Sequence, residues 1–152
     1  MAKRHASPEE TYHAILNEGL KAFNLSLGII SQIEGDRYSL LAVSPTRGDI
    51  SAGMVFELKD TYCQRVVSEN RIISVEHAGE HPGFNTHPVY IGMRLESYIS
   101  APIWVRENLW GTLNFSSTQV RAISFSEDDY EFISLMAEGI GSLIEINSVS
   151  YT

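Results

Sequence analysis

Apolar and polar positions alternate along this chain with two different periods, and the change of period marks out its elements. Tyr12, Ile15, Leu16, Leu20 and Phe23 recur at helical spacing. Ahead of them stand Ser7 as a cap, Pro8 at the first helical position and Glu10 where a capping box needs its acid. The spacing then shifts toward two. Residues 25–34 and 37–43 read as strands joined by a tight turn at Gly35-Asp36. Residues 44–53 carry Pro45, Gly48 and Gly53 and read as a loop. Residues 56–58 are a short strand or its lead-in. A helix is expected over 60–69 with Asp60 as its cap, and a strand over 71–75. Residues 76–93 hold three histidines, two prolines and three glycines and read as irregular. A hairpin follows, 97–105 and 109–116, turning at Arg106, Glu107 and Asn108. The last helix starts at Ser126 with Asp129 as box partner, and Phe132, Leu135, Met136, Ile140, Leu143 and Ile146 are its expected buried face.

This order predicts an α+β fold, with an antiparallel sheet and the two terminal helices packed together against one side. The late hairpin says what the other side does. Ile99, Ala101, Ile103 and Val105 alternate with Tyr98, Ser100, Pro102 and Trp104, and Leu109, Gly111, Leu113 and Phe115 alternate with Trp110, Thr112, Asn114 and Ser116. Since side chains alternate faces, the first set of each strand forms a core and the second a mixed face. That mixed face carries aromatics, hydroxyls and an amide instead of charges, which is the usual lining of a small-molecule pocket. The alternative is a structural cavity half covered by the 76–93 loop.

Composition narrows the setting. The 152 residues, 43% hydrophobic and 20% charged, suit one ordered domain spanning 1–152. Eleven basic against nineteen acidic residues, a net charge of −8, argue against a nucleic-acid surface and against docking on anionic lipid. No apolar stretch approaches the ~20 residues of a membrane span, and no signal peptide is visible. The one cysteine, Cys63, makes no internal disulfide, so a reducing cytoplasmic location is expected.

Five segments occur here in an order that resembles GAF domains: Leu27-Gly-Ile-Ile-Ser-Gln-Ile-Glu34, Asp60-Thr-Tyr-Cys63, Tyr98-Ile-Ser-Ala-Pro-Ile103, Trp110-Gly-Thr-Leu-Asn-Phe115 and Phe125-Ser-Glu-Asp-Asp129. The resemblance runs from about 9 to 146 and is greatest to the GAF domains of bacterial sensor histidine kinases and cyclic-di-GMP signalling proteins. It implies a PAS-like antiparallel sheet of about six strands, with terminal helices on one face and a loop-roofed pocket on the other. It also implies a sensory, non-enzymatic module of a signal-transduction or two-component system. Such a module binds a small molecule, pairs as a homodimer through its terminal helices and drives a downstream kinase or cyclase domain. A dimerisation or scaffold module whose pocket has lost its ligand is the alternative.

The known activities of the family can be compared residue by residue. The bilin-attaching cysteine–histidine pair has no counterpart in 85–93, and Cys63 lies outside that motif, which argues against a covalent bilin. Ser116-Ser117 stands where cyclic-nucleotide binders carry an Asn-Lys pair, and Tyr130 replaces their glutamate. Free methionine sulfoxide reductases need resolving thiols, which a lone cysteine does not supply. The candidate ligand-binding residues are therefore Tyr98, Ser100, Thr112, Asn114 and Ser116 on the hairpin, Cys63 on the preceding helix, and His87 and Tyr90 from the loop. Glu76, His77, Glu80, His81 and His87 form a set of potential metal ligands, but Pro82, Gly83 and Pro88 break any helical spacing between them. The cofactor is left open. So is the choice between a solvated loop and a lid whose His87 or Tyr90 hydrogen-bonds the ligand.

Overall fold

The computed structural model describes residues 7–46, 48–87 and 92–149. Helix α1, Pro8–Phe23, opens as the sequence predicts, with the Ser7 hydroxyl accepting from the Glu10 N–H at 3.2 Å. Glu9 and Glu10 lie in the first turn, where the helix dipole favours acids. The helix ends at Asn24, which takes the left-handed conformation (φ 54°). Its buried face is Tyr12, Leu16, Gly19 and Phe23, with Ile15 and Leu20 flanking. Gly19 is small for a reason: a Cβ there would land on the Phe115 ring.

Six strands follow: β1 Leu27–Glu34, β2 Arg37–Ser44, β3 Val55–Glu57, β4 Ile73–Val75, β5 Ser97–Val105 and β6 Asn108–Ser117. They form one open antiparallel sheet in the order β3-β2-β1-β6-β5-β4. Asn108 joins β6 and pairs with Val105, so the hairpin turns on Arg106 and Glu107 alone, both at positive φ. That is the twist a two-residue hairpin turn needs.

The expected helix over 60–69 is shorter. Leu58–Asp60 forms one 3₁₀ turn, and helix α2 spans Cys63–Glu69. Asp60 is not its cap; Tyr62 occupies that position without a side-chain hydrogen bond. The chain gives Asp60 to the preceding turn because Leu58 is buried there and fixes it. The final helix, α3, spans Glu127–Val149. Ser126 and Asp129 cap it reciprocally, Asp129 N–H to Ser126 Oγ at 3.2 Å and Ser126 N–H to Asp129 Oδ2 at 2.9 Å. Arg121 ties the two terminal helices together: its guanidinium donates to the Phe23 carbonyl, lies 4.3 Å over the Phe125 ring and reaches Asp129 at 3.8 Å.

The buried face of α3 differs from expectation. Ile133, Ala137 and Ile140 are buried, with Met136, Leu143 and Ile144 beside them, whereas Phe132, Leu135 and Ile146 are exposed. The apolar residues of this helix fit two overlapping stripes, and only the position of the sheet selects one. Gly141 seats the helix, since a Cβ would run into the Trp104 carbonyl oxygen on β5.

Two cores result. Between α1, α3 and the sheet lies a mainly apolar layer with Ile30, Ala42, Ile99, Ile103, Leu113 and Phe115 at its centre, and at its edge the Ser44 hydroxyl of β2 donates to Asn17 Oδ1 of α1 at 2.5 Å. The opposite face carries α2 and the loops over Leu27, Ile29, Tyr38, Leu40, Tyr62, Cys63 and Tyr98.

Candidate functional site

Register puts the site together. On β5 and β6 the alternation holds through the middle of the hairpin, so Tyr98, Ser100, Thr112, Asn114 and Ser116 share the face opposite the terminal helices, as the sequence predicts. Nearer the turn a bulge between Ile103 and Trp104 leaves Trp110 as an extra residue. Trp110 thus packs toward the helices instead of on the mixed face, and Trp104 is 43% exposed beside α3. A second bulge, between Ile30 and Ser31 on β1, leaves Leu41 unpaired on β2. It swaps the faces of that strand, so Tyr38 and Leu40 join the pocket side while Ala42 joins the helices.

Cys63, the first residue of α2, is 1% exposed and lies at the centre of a buried polar cluster. The Tyr98 hydroxyl is 2.9 Å from its Sγ and the Tyr38 hydroxyl 3.5 Å. Thr112 donates to Sγ at 3.2 Å, and Asn114 Nδ2 donates both to Sγ at 3.4 Å and to the Tyr38 oxygen at 2.9 Å. Behind it Ser31 and Thr112 share a 2.7 Å hydroxyl pair, and Ser100 stands 3.9 Å from the sulfur. These neutral groups satisfy one another away from water, as buried polar groups must. Burial pushes the Tyr38 and Tyr98 hydroxyls well above the ordinary tyrosine value, and the adjacent Cys63 adds to it. Both stay protonated at neutral pH.

In front of this cluster opens a cavity of about 360 Å³. Cys63, Tyr38, Tyr98, Asn114 and Ser116 form its polar floor. Leu27, Ile29, Leu40, Ile50 and Leu95 form apolar walls with Tyr62, whose hydroxyl donates to the Leu95 carbonyl at 3.1 Å. Phe56, Asp60, Thr61 and Met93 stand at the mouth, with Phe56 and Met93 both exposed. Ser116 Oγ is a buried hydroxyl that has no hydrogen-bond partner among the described residues.

The predicted site residues therefore separate into groups. Tyr98, Asn114, Ser116 and Cys63 line the cavity, while Ser100 and Thr112 sit behind its wall. His87 stacks on Tyr62 with ring centres 5.0 Å apart and stays outside the lining. Its burial pulls it below the ordinary histidine value, so the ring is neutral. Tyr90 lies outside the described residues. His77 faces Glu96, and His81 packs edge-on against Phe84. Among the described residues, no three of His, Cys, Asp or Glu gather as a metal site. Sequence reasoning missed Tyr38, Tyr62 and the wall residues of β1 and β2. Leu27, Ile29, Ser31 and Ile33 do alternate along β1, but the bulge in β2 breaks the matching period.

A family model described as a GAF domain matches residues 5–145. The chain belongs to the GAF domain family. Solved structures agree on the fold of this GAF domain. The GAF domain of an Acinetobacter phosphoenolpyruvate-protein phosphotransferase superposes with a TM-score of 0.77 at 20% identity, over 95% of this chain and 86% of that one. The phycocyanobilin-bound GAF domain of a cyanobacterial phytochrome gives 0.75 at 17% identity, over 95% and 88%. The type II free methionine-R-sulfoxide reductase of Thermoplasma acidophilum gives 0.71 at 17% identity, over 90% and 92%. Comparison with curated proteins yields no match. Among the described residues of the GAF domain, no helix is long and apolar enough to cross a membrane.

Proposed function

We propose that this GAF domain is a sensory module of a bacterial signal-transduction protein. It binds a small molecule in the cavity and passes a conformational bias through α1 and α3, as a cytoplasmic homodimer, to a kinase or cyclase domain. The observation that carries this reading is the floor of the cavity: Ser116 Oγ is buried and unpartnered at the edge of an open space. A native fold seldom leaves such a group bare, and a bound ligand would satisfy it.

The output follows from what lies behind the floor. Tyr98 and Ser100 face the pocket side from β5, while Ile99, Ala101 and Ile103 of the same strand carry α3 on the other. A ligand shifts that helix only by its differential affinity for two arrangements. On the outer side of α3 the residues Asp128, Phe132, Leu135, Gly139, Ser142 and Ile146 are all exposed at three-and-four spacing. That is the seam of a two-helix pairing, with small residues at its centre, and it supports the homodimer. The non-enzymatic reading rests on the lone cysteine, which leaves reductase chemistry without a resolving thiol.

The seam would equally serve a ligand-free scaffold, so the test reads both properties. Native mass spectrometry of the purified domain is expected to show a dimer retaining a small molecule. Leu135→Glu is expected to yield a monomer of unchanged fold. A dimer with an empty cavity that stays flat in thermal-shift screening would favour the scaffold.

A further inference from the structure

Charge in and around the cavity restricts what can occupy it. Asp60, at the mouth, is the single charged side chain among the described lining residues. Two nearby cations are engaged elsewhere: Lys59 pairs with Glu57 at 3.2 Å, while Arg65 pairs with Glu69 at 3.0 Å and lies over the Phe84 ring. Arg94, between the lining residues Met93 and Leu95, is exposed and is not itself part of the lining. His87 packs against Tyr62 and is not part of the described lining. A carboxylate or phosphate that entered would shed its water, find no counter-charge among the described lining residues, and pass Asp60 on the way. Besides the Cys63 sulfur, the floor offers neutral hydrogen-bonding groups: the Ser116 hydroxyl, the Asn114 amide and the tyrosine hydroxyls.

Shape narrows the choice further. Tyr38, Tyr62 and Tyr98 together with Leu27, Ile29 and Leu40 line a space at the small end of ligand cavities. Aromatic walls of this kind favour flat rings.

We propose that the cavity takes an uncharged ring compound bearing one hydroxyl or carbonyl, with that polar atom on Ser116 Oγ and the ring between the tyrosines and the aliphatic wall. This deepens the sensory reading and rests on it. The class excludes anionic ligands, nucleotides and carboxylic acids among them.

The test compares ring pairs in which a carboxylate, ionised at pH 7, replaces a methyl group: 4-methylphenol with 4-hydroxybenzoate, and 6-methyl-2-naphthol with 6-hydroxy-2-naphthoate. Binding to the full chain is read by calorimetry and thermal shift. The phenols are expected to bind and the matched carboxylates to bind at least about tenfold more weakly. Ser116→Ala is expected to weaken the phenols about five- to tenfold, to leave toluene binding unchanged and not to lower the thermal midpoint of the free domain by more than a degree or so. Asp60→Lys is expected to bring the carboxylates closer to the phenols. Equal or tighter binding of the carboxylates to the unmodified chain overturns the inference and leaves the sensory reading intact. A flat response to all four ring compounds also overturns it. The native mass spectrum judges the sensory reading separately, by whether the purified domain carries a molecule at all.

Discussion

One sheet presents two faces that solve burial in opposite ways. Toward α1 and α3, Ile30, Ile99, Ile103, Leu113 and Phe115 pack against Leu16, Phe23, Ile133 and Ile140, and the Ser44–Asn17 hydrogen bond lies at the edge of that layer. Phe115 meets Phe23 at 5.2 Å between ring centres, and Phe23 in turn meets Phe132 at 5.7 Å. Toward α2 the sheet contributes Tyr38, Tyr98, Ser100, Thr112 and Asn114 around one sulfur, with Ser31 behind them and Ser116 at the open cavity. Dispersion and the hydrophobic effect carry most of the first face. Hydrogen bonds largely satisfy the second, yet leave one buried hydroxyl bare. The contrast separates what holds the fold from what is free to recognise a ligand.

The sharpest way to break this contrast is to cut into the dry face. Phe115→Ala should destabilise the domain by about 3–5 kcal/mol, measured by urea unfolding, because Gly19 and Gly28 both lie against that ring and cannot fill the space. A loss below about 1 kcal/mol would show that this face is not the structural one.

A smaller effect is expected on the polar face. Tyr98→Phe removes the group 2.9 Å from Cys63 Sγ and should cost about 1–2 kcal/mol. Tyr98 and Tyr38 bind their protons more tightly folded than unfolded. Their contribution is therefore fully present below the unfolded value of about 10. It is lost as pH rises above that value, because only the unfolded chain then releases protons. Unfolding free energy should fall above pH about 10, and Tyr98→Phe should make that fall shallower. An unchanged slope would mean that this hydroxyl is not held as the structure places it.

The smallest effect concerns the bare hydroxyl. Ser116→Ala should leave stability within about 0.5 kcal/mol or raise it slightly, since no hydrogen bond is lost and a desolvated oxygen is removed. A clear loss would reveal a partner for that oxygen.

Legibility in the sequence followed the same division. The two capped helices, the hairpins and the shared face of Tyr98, Asn114 and Ser116 could be read because period and caps are local properties. The two bulges could not, and they moved Trp110 off the mixed face and brought Tyr38 onto the pocket side. A bulge depends on pairing across strands, which one strand's pattern does not contain. For the same reason Phe132, Leu135 and Ile146 looked like core: the sheet, and not the helix, chooses the stripe. Cys63 was legible as a pocket candidate, but its ring of hydroxyl and amide partners needed three strands to converge.

The central claim is that the polar face receives an uncharged ring ligand and that the dry face carries the response. It is tested most directly by a two-dimensional NMR titration of the isotope-labelled domain with 2-naphthol. The account predicts that the Asn114 side-chain amide and the backbone amides of Tyr98 and Ser116 shift saturably, together with amides of α3 behind them. Shifts confined to other surfaces, or a titration in which the Asn114 amide stays still, would contradict it.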